Sequence, residues 1–189
     1  MITRLYSHDI FLDHLTPPGH PERPDRIRAV AEALGLDFFD SLDRVDAPRG
    51  DAEAIRYAHP EDYVTRVMAQ IPEEGIARID ADTCVSPKSY EVALHALGAA
   101  NAAVDDVFAQ AASNVFVAAR PPGHHAGKEI AGGFCYLSNA AIAAQVLRGH
   151  FAGAETLEVH LALRVIEALC ETRLHVLGRN DNFKFALEP

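Results

Sequence analysis

Arg120 to Tyr136 reads RPPGHHAGKEIAGGFCY and sets His124 beside His125 in a loop rich in glycine and proline. A second glycine-flanked turn follows, carrying Phe134 and Cys135. Neutral histidine is the usual general acid or base near pH 7 and a common metal ligand. Two adjacent imidazoles on a rigid loop can serve one reacting centre, one as base and the other as acid. Pro121 and Pro122 restrict how the chain approaches, and Gly123 lets it turn where a side chain would obstruct. Gly132, Gly133 and Phe134 offer the wall of a narrow slot, the glycines letting a substrate run close to the backbone. Cys135 reads as a buried, inert thiol. An isolated histidine pair is more often a solvated loop feature, so its surroundings decide.

The elements around the pair place it at the end of a strand. Ile2 to Ser7 is an opening strand, and the loop after it contains four prolines that exclude helix until Pro24 or Asp25. From there Ile27, Val30, Ala31 and Leu34 form one apolar stripe, with Gly35 as the stop. His59 to Ile71 predicts a second helix ended by Pro72. A polar loop with a short strand at its start leads to a long alanine-rich helix, SYEVALHALGAANAAVDDVFAQAA. Ser113 to Arg120 is nearly all apolar, which predicts a strand buried on both faces of a parallel sheet. GFCYLSNAAIAAQVLRG is expected to begin the next helix. Strands alternating with helices give an α/β layer architecture, in which sites lie at the carboxyl ends of strands. The histidine loop leaves just such an end.

Composition limits the function classes. The chain has 189 residues, 49% hydrophobic and 23% charged, and a formal net charge of −10. That balance argues against a nucleic-acid surface but would attract a cationic substrate. No long apolar run predicts a membrane span, the N-terminus lacks a signal-peptide core, and three spaced cysteines suit a reducing compartment. A cytoplasmic protein is expected.

RPPGHHA followed by GGFCYLSNAAIAA resembles the histidine loop of the histone deacetylase and acetylpolyamine amidohydrolase superfamily. HPERPDRIRAV, HPEDYV and DADTCVSPKSYEVALHALGAA agree with it in the same order, so the resemblance spans about residues 1–150. It implies an arginase-like α/β sandwich with a mainly parallel sheet, incomplete here relative to the family. The implied reaction is hydrolysis of an acetyl-lysine or acetyl-polyamine amide by a water activated on zinc. Residue by residue, His124 resembles the histidine that hydrogen-bonds the attacking water. His125 resembles the general acid or base toward the leaving amine. Gly133 and Phe134 resemble the tunnel wall, and Asp80 or Asp82 the rim aspartate that holds the substrate backbone.

Residues 151–189 diverge from the family pattern. The family motif D-x-D-x-H-H-G, which supplies metal ligands, and its tyrosine loop have no clear counterpart. Glu158 and His160 would share a face on a strand, but Leu157, Leu161, Val165 and Leu169 repeat at four-residue spacing and predict a helix. His8, His14 and His20 read as structural or solvated, and Asp181 as a turn residue. No metal ligand is therefore assigned, and zinc is expected to be absent or incompletely liganded. Two readings follow: a zinc-dependent deacetylase completed by a partner chain or a remodelled site, or a truncated, non-catalytic member that binds or oligomerises. A sheet cut partway exposes an edge, which Leu174 to Gly178 could extend, and a homo-oligomer is expected.

Overall fold

The computed structural model describes residues 2–150. The expected helix near 155–171, the strand at Leu174 to Gly178, and Glu158, His160 and Asp181 lie outside the described residues.

The described residues form five strands and four α-helices in the order β1 (Thr3–Ser7), α1 (Pro24–Leu34), β2 (Asp43–Asp46), α2 (Glu61–Met68), β3 (Ala77–Arg78), β4 (Cys84–Val85), α3 (Ser89–Phe108), β5 (Asn114–Val117) and α4 (Asn139–His150). The main sheet has the order β2-β1-β5. Both of its pairings are parallel, with Leu5 opposite Arg44 on one side and Phe116 on the other. β3 and β4 form a separate antiparallel hairpin, and its tip carries Asp80 and Asp82.

α3 is the pillar of the fold. It is buried over most of its length, with polar residues confined to Glu91, His95, Asn101 and its C-terminal turn apart from the buried Ser89, the pattern of a helix largely surrounded by protein. Leu94 and Leu97 join Ile55, Tyr63, Val67, Tyr136 and Ile142 on one side. Val92, Ala96, Ala99 and Ala103 meet Tyr6 and Val115 of the sheet, and Phe11 of the turn after β1, on another. Ala100 and Val104 pack against Ala143 and Leu147 of α4. The many alanines let these neighbours come close, and Gly98 takes this to its limit. A Cβ added there would lie 2.1 Å from the Pro48 carbonyl oxygen and 2.4 Å from Gly50 N. The chain leaving β2 is thus pressed onto the helix, and Gly50 N donates to the Leu94 carbonyl at 2.9 Å.

The boundaries differ from expectation for identifiable reasons. α2 starts at Glu61, because His59 is used in side-chain bonding described below. α3 stops at Phe108, and Gln110 turns the chain with φ of 59°. The GFCYLSN segment is not helical. Gly133 and Phe134 have φ of 55° and 69°, so α4 begins only at Asn139. β2 carries no sequence signal, since DRVD is mostly charged and buries no residue. β5 is not buried on both faces as expected. Only Val115 is buried, because β5 is the edge strand of the described sheet.

Because the atoms facing Gly98 are backbone, Gly98→Ala cannot be absorbed by a rotamer change. We expect it to cost at least the roughly 1–3 kcal/mol of core overpacking, read as a lower urea midpoint. An unchanged midpoint would contradict this crossing.

Candidate active site

The histidine loop is anchored at its root by a buried ion pair. Arg120 Nε and Nη2 donate to the two carboxylate oxygens of Glu22 at 2.7 and 2.8 Å. Its Nη1 donates to the carbonyls of Phe11 and His14, both at 2.7 Å. Glu22 is fully buried and Arg120 is 3% exposed. His14 sits against this pair, 2.7 Å from Ser89 Oγ through Nδ1. Burial, with help from the Arg120 and His20 charges, pulls its pKa down to about 3, so it is a neutral packing group.

Beyond the prolines the loop folds back under the next turn. Gly123 has φ of 76°, and a Cβ there would lie 2.3 Å from the Asn139 side-chain nitrogen. Gly123 N donates to Cys135 Sγ at 3.1 Å, and that thiol donates to the Gly133 carbonyl at 3.3 Å. Burial raises the Cys135 pKa, keeping it a protonated thiol able to do both. Gly132 and Cys135 exchange backbone hydrogen bonds of 2.9 and 3.0 Å, which closes the Gly-Gly-Phe turn.

This folding brings the expected site residues together. The His124 and His125 ring centroids are 4.1 Å apart. His124 is half-buried and His125 exposed. Gly133 lies against His125 so closely that a Cβ there would be 2.7 Å from His125 Cβ. Phe134 packs against the edge of His20, with centroids 5.3 Å apart. His20 Nε2 donates to the Asp82 carbonyl at 3.1 Å, linking this wall to the hairpin tip. Asp80 faces Gly132, its Oδ2 3.9 Å from where a Cβ would stand.

The two aspartates are not equivalent. Asp80 Oδ1 accepts from Asp82 N at 2.8 Å and Thr83 N at 2.7 Å, an Asx turn that shapes the tip. Burial pushes its pKa upward, but the Asp82 and Thr83 bonds outweigh this and hold the carboxyl below the usual range. Asp82 is exposed, and its carboxylate accepts from Thr83 Oγ1 at 3.2 Å.

His59 supports the far side of the loop. Ser138 N donates to its Nε2 at 2.9 Å, so Nδ1 must carry the proton it gives to the Lys128 carbonyl, also at 2.9 Å. Burial lowers its pKa, in keeping with this neutral tautomer. The sequence reading gave no role to Glu22, His59 or Arg120, and read His20 as structural or solvated, of which the structure shows the structural one. His20–Pro21–Glu22 and His59–Pro60–Glu61 repeat the same tripeptide, which was the one available signal. His8 lies elsewhere, accepting from Ile10 N at 2.9 Å to cap a short 3₁₀ turn.

Among the described residues no three His, Cys, Asp or Glu side chains converge on a metal position. A catalytic zinc takes three protein ligands, so the described residues do not by themselves fit one. Nor, among them, is any helix long and apolar enough to cross a membrane.

The sequence profile of the histone deacetylase domain matches residues 20–155. The chain belongs to the histone deacetylase family. It is 41% identical over 148 residues to an uncharacterized protein of Synechocystis, covering 76% of this chain and 48% of that protein. It is 35% identical over 145 residues to the acetylpolyamine amidohydrolase of Mycoplana ramosa, covering 72% and 40%. The crystal structure of the HDA15 HD domain superposes with a TM-score of 0.73 at 29% identity, covering 79% and 44%. The chain thus spans about half, or less, of the length of these relatives. The family assignment accounts for the parallel sheet and its incompleteness.

Burying neutral His14 and His59 makes the stability of this deacetylase-family chain depend on pH. Both have folded pKa values below the unfolded value of about 6.5. Their contribution is therefore intact above about pH 6.5 and is lost as the pH falls, for His14 continuing toward about 3. His14 should add a slope of about 1.4 kcal/mol per pH unit in that window, and His59 acts in the same direction. Urea midpoints measured from pH 7.5 down to 5 should fall, and a flat profile would contradict the neutral assignments.

Proposed function

We propose that this chain supplies the proton-transfer pair and one wall of an amide-hydrolysing site for acetyl-lysine or acetyl-polyamine. The observation that carries the reading is the paired His124 and His125 rings set against a glycine wall with no room for a side chain. In this reading the alkyl chain of the acetylated amine runs beside Gly133 and Phe134. The amide C–N bond breaks as water adds its hydroxyl to the acyl carbon, and the water's proton must reach the departing amine. His124, half-buried, is suited to hold the water. His125, exposed toward the slot, is suited to pass the proton to the amine nitrogen.

The rim role is assigned to Asp82, since Asp80 Oδ1 is already committed to its own turn. The negative charge of the chain favours cationic amine substrates and products. Zinc, in this reading, is held by groups outside the described residues, whether in 151–189 or in a partner chain. β5 is the edge strand among the described residues, which supports self-association, and a cytoplasmic setting is the proposal that the cysteine usage favours.

The full chain should be assayed on acetyl-lysine peptide and acetyl-polyamine with its metal content measured alongside. Turnover with close to one zinc per chain supports the reading, and His125→Ala should then lower kcat by about 10²–10⁴-fold. A His125→Ala variant as active as the parent would refute the role given to that residue. A parent with neither metal nor turnover would establish the non-catalytic reading instead. Light scattering should show a dimer or larger, and a clean monomer would count against self-association.

A further inference from the structure

We infer that Glu22 is the positioning residue of this site, fixing the histidine loop and the slot wall relative to each other. The inference rests on the site reading above. It concerns a residue that touches no reacting atom.

Glu22 holds the two halves of the site by separate bonds. Its carboxylate grips Arg120 with both oxygens, at the root of the loop that carries His124 and His125. Its backbone meets the His20 ring at Nδ1, which lies 2.8 Å from the Glu22 carbonyl oxygen and 3.2 Å from the Glu22 nitrogen and bonds one of the two according to its tautomer. His20 in turn buttresses Phe134 and donates to the Asp82 carbonyl. A third contact comes from Thr16 Oγ1, which donates to the Glu22 carbonyl at 2.6 Å. One residue thus sets the distance from the proton-transfer pair to the aromatic wall and the hairpin tip.

Stability alone does not explain this arrangement. A buried ion pair is often no better than well-packed apolar residues of the same volume, because desolvating both charges offsets their attraction. What such a pair provides is a fixed geometry. The guanidinium fork matches a carboxylate at two points, which sets direction as well as distance. Arg120 also pins the Phe11 and His14 carbonyls, so the loop root is held at three points of the segment between β1 and α1. Misplacing a catalytic group by about 1 Å can cost about 10²-fold in rate. The geometry therefore has a function to protect.

Two variants of the full chain test this. Arg120→Lys keeps the buried positive charge but loses the fork, and Glu22→Gln keeps the shape but loses the charge. The readout is the set of proton Overhauser contacts between His125 and Gly133 and between the His20 and Phe134 rings. Contacts between Tyr63 and Val67 report on the core. We expect Arg120→Lys to keep the core contacts while the site contacts weaken or vanish. Glu22→Gln should do the same below its unfolding temperature. If Glu22→Gln does not fold, Arg120→Lys decides. Site contacts as strong as in the parent, in a folded Arg120→Lys, would reduce Glu22 to a stabilising group and overturn the inference.

Where the parent turns over, Arg120→Lys should lower kcat by about 10²-fold with KM nearly unchanged. Loss of stability alone would lower the amount of active protein and leave kcat per folded chain intact. An inactive parent would refute the proposed function, while the Overhauser contacts would still decide the role of Glu22.

Discussion

The Arg120 guanidinium, buried with its charge, is the constraint on which the polar end of this fold depends. A cation at 3% exposure must be paired and hydrogen-bonded in full, because leaving its donors unmet costs far more than a surface pair ever returns. Four of its bonds are made to Glu22, Phe11 and His14. Those partners lie on the proline-rich segment after β1, whereas Arg120 follows β5. The requirement to satisfy one side chain therefore draws the N-terminal loop over the end of the sheet. The polar groups nearby are then forced to match: His14 stays neutral and turns to Ser89, and Ser89 gives its carbonyl to the Tyr136 hydroxyl at 2.6 Å.

The turn that follows shows why glycine and cysteine recur at this site. Phe134 at φ of 69° is an uncommon conformation for a side chain of that size, and such outliers persist only where their surroundings hold them. Here the Gly132–Cys135 backbone pair, the Cys135 thiol and the His20 ring do so. The thiol serves because sulfur is large enough to bridge two turns and, protonated, both accepts and donates. A strained residue held from three directions keeps one orientation beside His20.

The sequence made some of this legible and hid the rest for physical reasons. The histidine pair, the glycine wall and the strand before them are local, and local chemistry can be read from spacing. α3 was legible because alanine and leucine recur over many turns. β2 was not, since its burial comes from pairing with β1 and not from its own side chains. The Arg120–Glu22 pair joins residues 98 apart in sequence, and no spacing rule reaches that far. Phe134 looked helical because the residues after it are. Its positive φ belongs to the tight Gly132–Cys135 turn and is backed by the distant His20 ring.

The two ends of the sheet differ in how complete they are. At the site end, the Arg120, Glu22, His14, His59 and Cys135 side chains all find hydrogen-bond partners within residues 2–150. The apolar side beside β5 is another matter. Ala118 N donates to the Tyr6 carbonyl at 2.9 Å, so by strand alternation the N–H groups of Val115 and Val117 point away from β1. Phe116 and Val117 are only half-buried, and α1 buries no residue although Ile27 and Val30 face the same groove. In an α/β sheet that groove is where a further parallel strand packs, supplying both the missing ladder bonds and the missing apolar contact. α4 lies against α3, the helix that precedes β5. Within residues 2–150 the site end of the sheet therefore has its polar side chains partnered, while the groove beside β5 is only partly filled.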